Sequence, residues 1–179
     1  MNDLTIITER LIVRPFVKSD EEDFIALIRD KMASEYAFAD HQWDTDYEAL
    51  VGALVYFVND RPWNWCAVEH KECGRVIGFV CAGEDGDSAR NLGYTIRSDH
   101  QNNGYAYEAC EALMDRCARI LGVKRFVSGT ADCNIPSVKL LNKLGFIKIE
   151  SMEASFTADA EGKPIKFAAG KYEKRYDLF

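Results

Sequence analysis

The amino-acid sequence predicts an α/β (α+β) fold, with a mixed, mostly antiparallel central sheet of about six to seven strands and helices on both faces. The hydrophobic residues alternate between helix and strand spacing in the order strand, two helices, three strands, helix, strand, helix, two strands. No low-complexity stretch, internal repeat or proline-rich linker interrupts the 179 residues, so we expect a single domain over residues 1–179. In such a sheet, a ligand crevice is expected at the C-terminal ends of strands.

The N-terminal third is predicted to form one strand and two helices. Leu11 to Phe16 has the apolar pattern of a strand, and Ser19-Asp20-Glu21-Glu22 is typical of a helix N-cap followed by an acidic first turn. A second helix is predicted over Asp46 to Asn59, because its apolar residues recur at three and four positions. Arg61-Pro62 would end this helix.

The rest of the chain is predicted to form six strands and two further helices. An apolar stripe that starts at Ala106 predicts a helix packed on a sheet, with Gly122 as its C-cap residue. Ile135 to Leu144 predicts a shorter helix that ends at Gly145. The predicted strands are Trp65 to Glu69, Val76 to Ala82, Asn91 to Ile96, Lys124 to Gly129, Phe146 to Ser155 and Ile165 to Asp177.

Charge and cysteine usage argue against several classes of function. Binding to nucleic acid or to an anionic membrane needs a basic face, whereas this chain has a formal net charge of −7. Six cysteines without a CxxC spacing, and only three histidines, argue against a metal site, and we expect reduced thiols. The N-terminus lacks the features of a secretory signal and no apolar run could span a membrane, so a cytoplasmic location is expected.

The most informative stretch is a predicted strand, loop and helix that runs from Gly93 to Ala106 and beyond. The free N–H groups of a first helical turn carry a partial positive charge that suits a pyrophosphate, and Gly104 allows close approach of the backbone. A Gln-x-x-Gly-x-Ala turn alone is explained equally well by Gly104 making the corner between strand and helix. A second motif, Asn134-Ile-Pro-Ser137 followed by a segment that ends in Leu144-Gly145-Phe146, lies one strand later and favours the binding interpretation.

Together these motifs resemble the GNAT superfamily of N-acetyltransferases, and within it the branch that acetylates the N-terminal alanine or serine of ribosomal proteins. The resemblance includes Thr8 to Phe16, Val76 to Phe79 and Gly93-Tyr94, and it covers much of the chain up to about Glu150. It implies the GNAT fold, in which the sheet opens as a splayed acetyl-CoA cleft. Met32 to Asn64 looks divergent, in a region that usually helps to shape the family's acceptor site.

The resemblance implies a role for each part of these motifs. Backbone amides of the loop should hold the pyrophosphate of acetyl-CoA, and backbone groups near Ile96 and Arg97 should bind the pantetheine arm and polarise the acetyl carbonyl. Asn134 should bind the pantetheine from the opposite side. The loop residues are Gln101, Asn102, Asn103, Gly104, Tyr105 and Ala106.

Two positions depart from the family's pattern. Asn102 stands where many members have glycine. Leu141 stands where many members have a tyrosine that protonates the leaving thiolate, which excludes tyrosine acid catalysis at that position. In the ribosomal-protein branch a serine corresponding to Ser137 has been given this role, so the resemblance assigns the catalytic acid to Ser137.

The predicted reaction is direct transfer of an acetyl group from acetyl-CoA, as cosubstrate, to a primary amine, with no covalent enzyme intermediate. An α-amine with a pKa of about 7.7 to 8.0 is substantially neutral at physiological pH, whereas a lysine-like amine needs more help from a base. The candidate bases are Glu84, Glu150, Glu153 and water. Cys133 is predicted to be a bystander thiol, because no histidine is close to it in sequence.

The acceptor stays open at this point. Aromatic residues of the N-terminal half either line an acceptor pocket or pack in the core, and the nearby acidic residues either attract a cation or form a solvated face. A protein N-terminus, a polyamine and an antibiotic are alternative acceptors, and a catalytically inactive CoA-binding module is the competing class of function. Both a monomer and a homodimer are compatible with the sequence. The residues concerned are Tyr36, Phe38, Asp40, Trp43, Asp44, Asp46, Tyr47, Glu48, Tyr56, Phe57, Trp63 and Trp65.

Overall fold

The computed structural model describes residues 5–60, 63–86 and 89–176. The strands are β1 Ile6–Ile7, β2 Leu11–Pro15, β3 Cys66–His70, β4 Arg75–Glu84, β5 Ala89–Ile96, β6 Arg125–Ala131, β7 Ile147–Ala158 and β8 Pro164–Arg175. The helices are α1 Glu21–Met32, α2 Tyr47–Asn59, α3 Tyr105–Leu121 and α4 Ile135–Lys143. The strands form one eight-stranded sheet in the order β1-β2-β3-β4-β5-β6-β8-β7.

The predicted mixed, mostly antiparallel sheet is confirmed, with β5 and β6 as the parallel pair among the described strands. The sheet has one strand beyond the predicted six to seven, because Ile6–Ile7 pairs with β2. A two-residue strand is too short to give a periodic pattern. The residues expected to end α2, Arg61 and Pro62, and the last residue of the predicted final strand, Asp177, lie outside the described ranges.

Helices cover both faces of the sheet, as predicted. On one face, α3 and α4 pack on the sheet through apolar residues such as Leu113 and Leu141, both fully buried. On the other face, α1 and α2 pack through Phe24 and Phe57 against the β4 residue Phe79. Each helix therefore buries one apolar stripe against the sheet, which fixes the loops that precede α3 and α4.

The feature that positions the candidate site is the parting of β5 and β6. These two strands pair only over residues 89–91 of β5 and 125–127 of β6. At the next position the buried Ser128 hydroxyl donates a hydrogen bond of 2.9 Å to the Leu92 carbonyl, in place of a backbone bond. Beyond this bridge the two strands separate, which opens a gap at the C-terminal ends of the parallel pair.

The six cysteines are free, and Cys73 and Cys133 are the exposed ones. Within the described ranges, no three or more His, Cys, Asp or Glu side chains are grouped so that they could hold a metal ion. No helix in that part of the chain combines the length and the apolar character needed to cross a membrane.

Candidate active site

A groove of about 1550 Å³ follows the gap between β5 and β6 and extends to the loop after α1. It brings together most of the residues predicted for the site. These are Ile96, Gln101, Asn102, Gly104, Tyr105, Ala106, Asn134 and Ser137. Asn103 instead lines a neighbouring depression beside Arg10 and Glu108, and Arg97 lines neither.

The loop before α3 presents a run of unpaired backbone N–H groups. None of the N–H groups of residues 102–107 has an acceptor among the described residues, and the first bond of the helix runs from the Glu108 N–H to the Gly104 carbonyl at 3.1 Å. Gly104 and Asn102 adopt left-handed conformations, with φ of 81° and 62°. Asparagine tolerates this conformation better than most residues, which explains why Asn102 fits here. Such a run at a helix N-terminus forms a cradle for an anion.

The side chains of Thr8, Arg10 and Glu108 hold this loop in place, and the sequence alone assigned them no role. The Glu108 carboxylate accepts hydrogen bonds from the Thr8 hydroxyl at 2.6 Å and from the backbone N–H and Nε of Arg10 at 2.9 and 2.8 Å. The Arg10 guanidinium also donates to the Asn103 carbonyl at 2.9 Å. Burial opposes the charge on Glu108, but these hydrogen bonds outweigh it and lower the pKa of the carboxyl.

The edge of β5 turns selected backbone groups towards the gap. The Arg97 N–H donates to the Ile77 carbonyl of β4 at 2.8 Å, so the alternation of an antiparallel pair directs the backbone groups of Tyr94 and Ile96 away from β4. The Gln101 side chain donates to the Ile96 carbonyl at 2.9 Å. The N–H of Ile96 therefore faces the gap, whereas the N–H and carbonyl of Arg97 are both engaged within the chain.

The N-terminus of α4 forms the opposite wall. Asn134 is the N-cap residue, and its side-chain oxygen accepts a hydrogen bond of 3.2 Å from the Ser137 N–H. The backbone N–H of Asn134 donates to the Ala131 carbonyl at 3.0 Å, whereas the side-chain Nδ2 has no hydrogen-bond partner among the described residues. The cap thus fixes the Asn134 side chain at the wall of the groove while its N–H₂ group stays free to donate.

A hydrogen bond between two hydroxyl groups joins the two walls. The Tyr94 phenol on β5 lies 2.8 Å from the Ser137 Oγ on α4. Burial raises the pKa of Tyr94 despite the opposing effect of the hydrogen bond with Ser137, so the phenol stays protonated in neutral solution. Leu141 is fully buried in the core below this pair. Sequence reasoning included Tyr94 in the family motif but did not connect it to Ser137.

The three glutamates considered as bases do not line the groove. Glu84 pairs with Arg90 at 3.8 Å, and Glu153 pairs with Lys166 at 2.6 Å. Glu150 is exposed on β7, where it pairs in the sheet with Lys171 of β8. The carboxylates that do line the groove are Asp30, Glu35, Asp40 and Asp85.

The end of the groove away from the α3 loop has aromatic walls. Phe57 stacks on Trp65 with ring centroids 4.1 Å apart, and Trp65 meets Phe79 edge-on at 5.5 Å. Trp43 and Tyr56 line the same end. Phe57 and Phe79 are buried in the core and also line the groove, so packing in the core and a place in the groove wall do not exclude each other.

Comparison with known proteins identifies the family. The family model described as "Acetyltransferase (GNAT) domain" matches residues 10–147. The uncharacterized N-acetyltransferase p20 of Bacillus licheniformis is 26% identical over 148 residues, which cover 80% of this chain and 83% of that protein.

Two solved structures show the same fold. One is the ribosomal-protein-S5-alanine acetyltransferase from Vibrio fischeri, with a TM-score of 0.77, 19% identity and 97% of each chain covered. The other is the microcin C7 self-immunity acetyltransferase MccE in complex with acetyl-CoA and AMP, with a TM-score of 0.77, 15% identity and 94% of each chain covered. Since the family model spans most of the sequence, this chain belongs to the GNAT family of acetyltransferases.

Proposed function

We propose that this chain is a single-domain N-acetyltransferase that moves an acetyl group from acetyl-CoA directly to a primary amine, with a protein N-terminus as the acceptor. The observation that carries the proposal is the run of free N–H groups at residues 102–107, next to the gap between β5 and β6. A pyrophosphate needs several donors that converge without a competing internal acceptor, and this run supplies them.

The cofactor contacts follow from the geometry of the groove. The N–H groups of the loop would hold the pyrophosphate, while the backbone edge at Tyr94 and Ile96 and the amide of Asn134 would hold the pantetheine arm from its two sides. When bound, acetyl-CoA supplies the acetyl group as a thioester. The Ile96 N–H is the donor in a position to stabilise negative charge on the acetyl oxygen. The backbone of Arg97 could join these contacts only if one of its internal hydrogen bonds opened.

Ser137 is the proposed catalytic hydroxyl. Its Oγ lies at the groove wall, at the first turn of α4, where the helix N-terminus favours nearby negative charge. The buried Leu141 has no group that could take this role.

We propose water as the proton acceptor for the amine. Glu84, Glu150 and Glu153 do not line the groove, which argues against any of them as the base for an amine that binds there. An α-amine needs little help, because its pKa of about 7.7 to 8.0 leaves much of it neutral at physiological pH.

The charge of the groove supports a protein N-terminus as the acceptor. Its lining holds a small excess of negative charge, which favours an ammonium group before it loses its proton. The charged groups are the carboxylates of Asp30, Glu35, Asp40 and Asp85 and the amines of Lys31, Lys143 and Lys171. Asp40 is paired with Lys31, and Asp30 accepts hydrogen bonds from the N–H and the hydroxyl of Ser98, so Glu35 and Asp85 contribute the larger share of this attraction. The structural similarity to a ribosomal-protein alanine acetyltransferase favours the same acceptor class.

The test combines binding with identification of the product. Calorimetric titration with acetyl-CoA and with CoA is followed by mass spectrometry of peptides with N-terminal alanine or serine, of polyamines and of aminoglycosides. Product mass is the suitable readout, because the exposed thiols of Cys73 and Cys133 would react with thiol reagents. A matched peptide with a blocked N-terminus and a free lysine separates α-amine from side-chain transfer.

Each outcome of this experiment decides between the alternatives. Acetylation of the free α-amine alone is the expected result. Acetylation only of polyamines or aminoglycosides would replace the acceptor, and binding without any product would favour a CoA-binding regulatory module. Absence of acetyl-CoA binding by the folded protein would overturn the proposal.

A further inference from the structure

We propose that Tyr94 is a positioning residue, which holds the Ser137 hydroxyl so that its proton is directed at the sulfur of the cosubstrate. This inference rests on the proposed function, because it gives Ser137 a partner on the opposite wall of the groove. It follows from three features of the pair: its geometry, the absence of a competing acceptor, and the burial of the phenol.

The chemistry of the two hydroxyl groups favours Tyr94 as the donor of the bond. The Tyr94 oxygen lies 2.8 Å from Ser137 Oγ but 3.4 Å from the Ser137 carbonyl oxygen. The shorter distance is the preferred one for a hydrogen bond between hydroxyl groups, whereas the longer one is outside the usual range. A separation of 2.8 Å allows either hydroxyl to donate. A phenol, with an ordinary pKa of about 10, is a much stronger donor than an aliphatic hydroxyl, whose oxygen is the better acceptor, so we assign the proton of this bond to Tyr94.

The proton of Ser137 then stays available to the groove. Among the described residues, the Tyr94 phenol is the one hydrogen-bond partner of Ser137 Oγ, and no other backbone or side-chain group accepts its proton. With Tyr94 as donor, the serine hydroxyl can donate only away from Tyr94, towards the space that it lines. Without the phenol, the hydroxyl would rotate between several acceptors, including the carbonyl groups of its own helix.

Both hydroxyl groups keep their protons in this arrangement. The Tyr94 phenol packs against the core cluster formed by β5, α3 and α4, and burial disfavours its charged form. A thiol has a pKa of about 8.5, so a full proton transfer from phenol to sulfur would be unfavourable. Ser137 instead stabilises, by a hydrogen bond, the electron pair that sulfur receives when its bond to the acetyl carbon breaks, and the proton lost by the amine passes to water.

The kinetic test uses the variants Tyr94→Phe and Ser137→Ala, singly and together. We expect Tyr94→Phe to lower kcat roughly tenfold, the effect of one hydrogen bond, and to change KM for acetyl-CoA less than twofold. Because Tyr94 acts through Ser137, the double variant should be no slower than Ser137→Ala alone. Ser137→Thr keeps a hydroxyl at this position. In the parent background this variant should therefore retain most of kcat, whereas in the Tyr94→Phe background it should not.

A binding test measures the proposed hydrogen bond from Ser137 to the CoA sulfur without catalysis. The affinities for CoA and for desulfo-CoA are measured by calorimetry between pH 6.5 and 9.5. If Ser137 donates to the sulfur, binding lowers the pKa of the CoA thiol, so the affinity for CoA should rise with pH while that for desulfo-CoA does not. Tyr94→Phe should remove most of this rise, as Ser137→Ala does.

Tyr176→Phe is the matched control. Tyr176 is a half-buried tyrosine packed against the same core cluster, with its phenol bonded to Asp115 and placed outside the groove. Its variant should keep the parent kcat and the parent pH dependence of CoA binding. If Tyr94→Phe keeps the parent kcat and the parent pH dependence of CoA binding, the inference is overturned and the proposed function stays intact. If the parent protein binds no acetyl-CoA, the inference and the proposed function are both overturned.

Discussion

The two ends of the groove are built in different ways. At the end next to α3, the binding groups are backbone N–H groups of six consecutive residues, 102–107. At the other end, the walls are side chains from α2, β4, the segment before β3 and the loop after α1, such as Phe57, Phe79, Trp65 and Trp43. The first kind of site depends on the local conformation of one loop, whereas the second depends on how distant segments pack together.

This difference predicts different responses to mutation. A backbone site tolerates changes of side chain but fails when the backbone or the space beside it changes. A side-chain site responds to truncation of single residues and leaves the cofactor end unaffected. The predictions below test this division, from the largest expected effect to the smallest.

Gly104→Glu should reduce acetyl-CoA affinity more than about 100-fold. The side chain adds strain of about 1–3 kcal/mol at a φ of 81°, and its carboxylate would sit where the pyrophosphate must bind. A Cβ at this position would lie 3.5 Å from the nearest Arg10 nitrogen, which is an ordinary contact, so the variant should fold. Calorimetry with acetyl-CoA, supported by a thermal melt, measures both effects.

Gly122→Glu is the control for this variant. It places the same side chain at a similar φ of 65°, at the other end of α3, with no atom within 4 Å of the new Cβ. Its acetyl-CoA affinity should stay within about twofold of the parent, since the strain is similar but no cradle is involved. Equal loss of affinity in both folded variants would contradict the assignment of the cradle.

Glu108→Gln should reduce the free energy of unfolding by about 1.5–3 kcal/mol, because it removes the charge from hydrogen bonds with Thr8 and Arg10. Affinity for acetyl-CoA should fall several-fold, since Arg10 also holds the Asn103 carbonyl. Urea unfolding and calorimetry check the two effects. Glu111→Gln, at an exposed position one turn later in α3, should change stability by less than about 0.5 kcal/mol.

The stabilisation from Glu108 should depend on pH. The pKa of this carboxyl is lowered in the folded protein, so its contribution is present above the unfolded value of about 4.3 and is lost as pH falls through the folded value. The stability difference between the parent and Glu108→Gln should therefore be constant from pH 7 to 5 and shrink below about pH 4. A difference that grows on acidification would mean that Glu108 is not held as a carboxylate.

The contrast between a site made by one loop and a site made by distant segments also explains which features the sequence could predict. The order of the elements, the loop at Gln101 to Ala106 and the motif at Asn134 to Ser137 all depend on residues close in sequence, and they could be recognised from patterns and motifs. The contacts that complete the site join distant residues, as in Tyr94 with Ser137, 43 positions apart, and Arg10 with Glu108, 98 positions apart. No local pattern encodes such a pairing, because it depends on sheet register and helix packing.

The candidate bases show the same limit. Glu84, Glu150 and Glu153 each lie near a predicted strand or turn that could face the crevice, which makes them candidates from the sequence alone. Whether a strand residue faces the groove depends on its partners in the sheet, and the register gives Glu84 a place opposite Arg90, at the far end of β5 from the loop. Hydrophobic spacing alone does not contain this information.

Ser128→Ala tests the bridge at which the cofactor gap opens. The variant leaves the buried Leu92 carbonyl without its 2.9 Å partner, so we expect a loss of about 1–2 kcal/mol in stability. Because the bridge fixes where β5 and β6 part, affinity for acetyl-CoA should fall about two- to threefold. Ser155→Ala, at an exposed hydroxyl on β7, is the control and should leave stability and affinity at parent values. Urea unfolding and calorimetry measure both variants.

Tyr56→Ala tests the acceptor end, and its effect is the smallest when each variant is ranked by its largest expected change in free energy. Tyr56 is 61% exposed and lines the aromatic end of the groove, so its truncation should raise KM for the amine acceptor about three- to tenfold with little loss of stability. Tyr47→Ala is the control, because Tyr47 is a similarly exposed tyrosine on α2 that lies outside the groove. Affinity for acetyl-CoA should be unchanged in both variants, since neither touches the backbone cradle. A parallel loss of acetyl-CoA affinity in Tyr56→Ala would show that the two ends are coupled, and the division into a backbone site and a side-chain site would then be wrong.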